Sequence, residues 1–408
     1  MFVLKYDLLG VLSEVLEMGS ACGPEWDLYG AVAASAAGQE MLFGWCITSD
    51  QLPDIFAFNE KHLPAYFGLF ARLHARVPDL YQRYVRAKRE HAVWVTRNIL
   101  FAEHLGRPHP VAREACCRFY DGVLARGPDC ALFLAGFFDL AALRSKPQDV
   151  LWVLLRFFGE AAPPLPDAAY AAAALERRGL AYALSYLRPG RPEAPAALRV
   201  VAAFLAHVAP ADAAQAAQAA EALFQLFAEA ARRRVVGTAA AAGAAADVDE
   251  GALQAAWERL LARATAAQAG LTEAIVRALR GFLVAQQRVL RVSKRHWDEL
   301  GSFAESVRRL LVGCSESEEA LGVAFLVAML CGDAVCGELV EREAERNRLP
   351  KLTRDEVQAL CKSLCRRGVV GCEMLCKKIP CSLIIYGKIL AENVKNIYYL
   401  SIFIYLFI

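Results

Sequence analysis

The sequence predicts an all-α protein, an α-solenoid of stacked antiparallel helical pairs, and three observations predict it. Apolar residues recur with a helical period along most of the chain. No sustained period-2 alternation occurs before the last stretch, so strands are not expected. Turn residues punctuate the first half at 106–110, 126–129, 146–147, 161–167 and 189–195, one helix plus a turn apart. That gives roughly 40 residues per helical pair, the spacing of armadillo and HEAT arrays.

The first elements follow from local chemistry. Residues 80–103 fit one long helix. In 129–145 apolar side chains at Leu132, Leu134, Phe137, Phe138 and Leu140 wrap most of the surface, which predicts a central helix. The next helix opens at Pro147, with Ser145 as its cap and Asp149 near the positive end of its dipole, and stops at Gly159 before Pro163 and Pro164.

Further helices fit 196–208, 211–235, 251–268, 272–292 and 296–312. Ser315 with Glu318, and Thr353 with Glu356, both read as capping boxes. The low-complexity Ala/Gly stretch at 237–250 reads as a flexible joint. It separates an N-terminal repeat region (1–236) from a C-terminal one (251–370), with an atypical hydrophobic tail at 371–408.

Composition bounds the function. The 408 residues carry 46 Lys+Arg against 44 Asp+Glu, a net charge of +2, with 56% hydrophobic types. Such a chain has enough apolar surface to fold, and its near-neutral charge exerts no global pull on phosphate backbones, so nucleic acid is not an expected partner. Asp7, Glu14 and Glu17 interrupt the apolar N-terminus, against a secretory signal. Reduced thiols and an intracellular location, cytoplasmic or nuclear, are the expectation for the thirteen cysteines.

Motifs for chemistry are few. Cys361, Cys365, Cys372 and Cys376 form two C-x3-C pairs, with Cys381 beyond, and zinc sites prefer the tighter C-x2-C turn. Cys116, Cys117 and Cys130 lie on apolar helices, where a thiol is inert. The seven histidines form no H-E-x-x-H, and the chain holds no P-loop, G-x-S-x-G or G-x-G-x-x-G. No catalytic residue, metal or cofactor is assigned, although a cysteine hydrolase with distant Cys and His stays open.

Cations cluster twice: Arg83, Arg86, Lys88 and Arg89, and then Arg288, Arg291, Lys294 and Arg295. Arg288, Arg291 and Arg295 share one helical face and are the candidate contacts for a protein partner, with a solvated helix face as the alternative. Tyr81 and Tyr84, inside the first cluster, are spaced as core residues. The uncharged run 396–408, from Asn396 to Ile408, is shorter than a bilayer span. It could touch a membrane as the anchor of a trafficking adaptor, pack as a buried terminus, or never have been selected as structure.

One segment resembles a known family. Residues 62–101, HLPAYFGLFARLHARVPDLYQRYVRAKREHAVWVTRNILF, carry an aromatic-rich helix, a Pro-led helix and then Trp94 and Asn98 four apart. This is similar to the helical-repeat flank C-terminal to the protease core of very large ubiquitin-specific proteases. The family's Cys and His boxes have no counterpart here, since no cysteine or histidine precedes a tyrosine. The resemblance therefore implies a non-catalytic, protein-binding scaffold in the ubiquitin pathway, with Trp94 and Asn98 bracing the repeat.

Overall fold

The computed structural model describes residues 35–38, 63–76, 79–101, 110–143, 146–236, 248–267, 269–289, 297–346, 348, 350–353, 355–356 and 359–360. Among the described residues every regular element is helical and no strand occurs. No helix among them is long and apolar enough to cross a membrane. The tail from 371, the run 396–408 and the cysteines from Cys361 to Cys381 lie outside the described residues.

The chain divides into two compact units, Met1–Leu187 with Arg191–Val208, and Ala209–Ile408 with Arg188–Gly190. The first unit begins with α1 (Leu63–Arg76), α2 (Leu80–Ala87) and α3 (Arg89–Val95), which runs on as a π-helical turn, Thr96–Leu100. Then come α4 (Pro110–Leu124), α5 (Gly127–Leu143), α6 (Pro147–Phe158) and α7 (Asp167–Ala171) with a π-helical extension, Ala172–Glu176. Two more helices, α8 (Gly179–Tyr186) and α9 (Ala194–His207), complete it.

Within this unit α1 packs on α4, α4 on α6 and α6 on α9, while α5 touches α2 and α7 beside that row. Aromatic rings fill the join: Phe70 lies 4.6 Å from Phe119, and Tyr120 lies 4.4 Å from Phe133. All four are buried.

Three expectations need correction here. The helix expected over 80–103 breaks at Lys88, whose backbone (φ −137°, ψ 53°) is not helical. Buried residues lie on both sides of the break, Leu80, Tyr81 and Tyr84 in α2 and His91 and Val95 in α3. Tertiary packing overrides the helical propensity of the run. The helix capped by Ser145 in the sequence reading has Lys146 at its N-cap, and Pro147 alone sets its first turn. Helix α5 is not enclosed all round, because Ala131, Gly136, Asp139 and Ala142 face solvent.

The second unit contains α10 (Ala213–Val236), α11 (Glu250–Ala267), α12 (Ala269–Val289), α13 (Ser302–Gly313), α14 (Glu318–Cys331) and α15 (Ala334–Glu345). Helix α12 packs on α10, α11 and α14, and α14 also meets α13 and α15. Helix α14 is the enclosed one, with ten of its fourteen residues buried. Because α10 and α11 pack on each other, the Ala/Gly segment joins two helices of one unit. Residues 237–247 lie outside the described residues, and the division between units falls at 208/209.

The two capping boxes part company. Thr353 and Glu356 exchange bonds, Thr353 N donating to Glu356 Oε2 at 2.7 Å and Glu356 N to Thr353 Oγ1 at 3.4 Å. Ser315 does not cap α14; Ser317 is its N-cap and makes no side-chain bond there.

Glu356 also anchors the charged node of this unit. Arg280 on α12 donates to Glu356 at 2.5 and 2.9 Å, to Glu319 at 2.6 Å and to the Lys351 carbonyl at 2.5 Å. Burial opposes ionisation of Glu356, but Arg280 and the Thr353 N–H hold its carboxyl below the ordinary range. Gly322 on α14 makes room: a Cβ there would stand 2.9 Å from Arg280 Cζ. Gly322→Ala should push the guanidinium off its partners and cost about 1–3 kcal/mol. A lowered thermal midpoint for the full chain checks this; an unchanged midpoint would show that Arg280 has slack.

Candidate functional site

Among the described residues a recess lies in the second unit. Its floor is apolar, lined by Phe224 and Phe227 of α10, Leu279 and Phe282 of α12, Trp297 and Phe303, and it encloses about 30 Å³. The spacing of Phe224 and Phe227, and of Leu279 and Phe282, puts each pair on one helix face, so two helices offer rings to the same space. Phe227 stacks on Phe303 at 4.1 Å. A second cavity of about 190 Å³ adjoins the floor through the shared residues Phe227, Ala231 and Leu300.

That second cavity is polar. Arg234, Glu250, Gln254, Glu299, Gly301 and Ser302 line it. Arg234 bonds the Glu250 carboxylate and the Glu299 carbonyl, so the end of α10 is tied to the start of α11 and to the turn before α13. Burial opposes charge on Arg234 less than Glu250 favours it, and its pKa rises. The turn needs Gly301, whose φ of +48° and ψ of −115° are closed to side chains with a Cβ. Helix α13 consequently begins at Ser302, later than the 296 expected from the periodicity.

Behind the recess, the Gln254 amide is oriented by Glu258, which accepts from Nε2 at 2.8 Å, and by Ser306 Oγ at 3.2 Å. Gln254 Oε1 and the Trp257 indole nitrogen are buried there without a hydrogen-bond partner among the described residues. Such groups cost stability, and both sit where α11 meets the ring cluster.

The expected contact residues stand next to this recess in the chain. Arg288 is on the last turn of α12, while Arg291 and Arg295 lie outside the described residues. Leu283 and Trp297, which flank the basic segment in the sequence, both line the apolar floor. The rings themselves were missed in the sequence, where they read only as helical core.

Several titratable groups of the first unit are committed to packing. In the first unit His74 Nε2 lies 3.0 Å from Asp129 Oδ2, and Gln82 donates to Asp129 Oδ1 at 3.1 Å, all against α5's first turn. Burial lowers the His74 pKa despite that carboxylate. The Tyr84 hydroxyl and His91 Nδ1 share a 2.7 Å hydrogen bond, and burial with nearby Lys88 takes His91 down to about 4. Arg113 stacks 3.3 Å over Trp152, bonds the Leu100 carbonyl and lies 3.6 Å from Asp149.

The thiols follow the same rule. Burial pushes Cys117 up to about 12 and Cys130 to about 11, and raises Cys116 and Cys336 strongly. A thiol held protonated is a poor nucleophile and a poor metal ligand, in line with the structural reading of these residues. Among the described residues no group of three His, Cys, Asp or Glu side chains is placed to hold a metal ion.

Trp94, singled out with Asn98, stacks on His91 with ring planes 9° apart, and Asn98 falls in the π-helical turn that ends α3. No protein-family description, no curated protein and no solved structure matches the chain.

Two measurements follow from these environments. His91 and His74 are neutral in the fold and take up protons on unfolding once the pH drops below their ordinary 6.5. Their contribution is complete above that pH and is lost on acidification, His91 alone removing about 2 kcal/mol by about pH 5. The denaturation midpoint followed from pH 7 to pH 4 should fall, and His91→Gln should flatten the fall. At neutral pH, Cys116, Cys117 and Cys336 should resist iodoacetamide in the folded chain and react in denaturant; peptide mass mapping reads the difference.

Proposed function

We propose that the chain is a non-catalytic helical scaffold that binds a protein partner at the recess of its second unit. The observation that carries the reading is the recess itself: a ring-lined gap of about 30 Å³ that adjoins a cavity of about 190 Å³ with charged and polar groups on its wall. Interfaces concentrate their binding energy in such desolvated anchor pockets within a polar rim.

The charge of the adjoining segment specifies the partner further. Between Phe282 and Trp297 the chain carries Arg288, Arg291, Lys294 and Arg295 and no carboxylate. A partner segment with an apolar anchor flanked by acidic residues complements both features. Arg288, Arg291 and Arg295 are the proposed charged contacts.

Stacked helical pairs, as in an armadillo-like solenoid, supply the framework for this reading, because exposed positions on such an array vary without disturbing its core. The successive contacts of α1, α4, α6 and α9 support it within the first unit. The resemblance of residues 62–101 to the flank of large ubiquitin-specific proteases makes ubiquitin-pathway components the first partners to test.

Affinity capture with the full chain, followed by direct titration of the recovered partner, tests the proposal. Reversing Arg288, Arg291 and Arg295 to Glu should leave helicity intact and weaken the purified complex by on the order of tenfold or more. Filling the floor with Ala231→Leu should weaken it without touching charge. A partner whose affinity ignores both changes would overturn the assignment.

A further inference from the structure

The first unit carries a charge pattern that the recess does not use. Residues 63–101 contain seven Lys and Arg against two Asp and Glu, a local excess of five in a chain whose net charge is +2. Most of that excess sits on the bend between α2 and α3. Arg83, Arg86, Lys88 and Arg89 fall within seven residues there, with Glu90 the one carboxylate between Leu80 and Phe101.

The bend is a built feature. Lys88 leaves helical geometry yet its N–H still donates to the Tyr84 carbonyl at 2.8 Å, and its own carbonyl accepts from Ala92 N at 3.1 Å. Beneath it the 2.7 Å bond between Tyr84 and His91 spans the break, with Tyr66 edge-on to His91 at 6.2 Å. Leu80, Tyr81 and Tyr84 are buried on the inner side. Arg86 and Arg89 are exposed on the outer side, and neither pairs with a carboxylate among the described residues. Their neighbours in the unit behave differently: Arg156 is bound by Glu114 and Asp121, and Arg113 by Leu100, Trp152 and Asp149.

We propose that the α2–α3 bend is a second docking face, independent of the recess, that takes an acidic segment of a protein partner on Arg86 and Arg89. A guanidinium matches a carboxylate through two parallel N–H donors, and a bend pinned from below fixes the backbone that carries two such forks. Nucleic acid fits less well. Single strands bind by stacking bases on exposed rings, and Tyr81 and Tyr84, the rings of this segment, are 3% and 2% exposed. Trp94 already stacks on His91.

The test titrates the full chain with a fluorescein-labelled oligoglutamate peptide, and with a single-stranded RNA of equal charge, at low and physiological ionic strength. The peptide should bind saturably at low salt, more tightly than the RNA, and weaken as salt rises. Arg86→Glu with Arg89→Glu should weaken the peptide by on the order of tenfold with no change in thermal midpoint, and Arg86→Lys with Arg89→Lys by less. Reversal of Arg288, Arg291 and Arg295 should leave peptide binding intact, which separates this face from the proposed recess.

The proposal is overturned by an absence of saturable peptide binding, by tighter binding of the RNA, or by peptide binding lost on reversal of the Arg288 set and kept on reversal of Arg86 and Arg89.

Discussion

Buried carboxylates tied across helix ends govern how the helices of each unit meet. Asp129 joins the first turn of α5 to His74 on α1 and Gln82 on α2. Asp333, the N-cap of α15, accepts from the Cys336 N–H, from the Trp297 indole at 2.7 Å and from Arg308 on α13. Glu356 closes the capping box with Thr353 and takes Arg280 from α12. A helix end leaves backbone groups unsatisfied, and a buried carboxylate is costly alone; Asp333 and Glu356 answer one problem with the other by accepting from backbone N–H groups, while Asp129 is met by side chains. Apolar stripes bring helices together, but such stripes permit many registers, and these ties select one.

The same economy explains the absence of reactive polar groups in the described core. Histidines and thiols there are desolvated, which favours their neutral forms and leaves them as packing elements. Arginine does the charged work instead, because a guanidinium stays ionised and can satisfy several acceptors at once. Arg280 reaches four acceptor atoms in three residues, and a glycine on the facing helix gives it the space.

Periodicity placed the helices near 129–145, 196–208, 211–235, 251–268 and 272–292 to within a few residues, and Pro147, Asp149 and the Thr353–Glu356 box stood in plain view. The buried state of Cys116, Cys117, Tyr81 and Tyr84 was equally readable from apolar spacing. What the pattern could not show is where packing interrupts it. Nothing local to Lys88 announces a break, and the Tyr84–His91 bond that spans it joins side chains seven residues apart. Gly322 looks like one more small residue until Arg280, 42 positions earlier, is placed against it. The recess is built from rings between Phe224 and Phe303 that are ordinary core residues one helix at a time. Of the expected contacts Arg288 falls on a described helix, and Arg291 and Arg295 lie outside the described residues.

Net charge is the least informative number in this sequence. A value of +2 conceals an excess of five cations in residues 63–101, which leaves the remainder of the chain at −3. Electrostatic attraction fades within about 8–10 Å at physiological salt, so a partner responds to the few charges it meets and not to the total. The bend at Lys88 is locally basic and sits over Tyr84 and His91, and the stretch between Leu283 and Trp297 is locally basic in sequence. Rigid apolar support beneath a short cationic stretch favours acidic protein segments, whose carboxylates are few and fixed, over polyanions that need a long continuous field. The two proposed acidic contacts rest on local charge of this kind, which the total of +2 conceals.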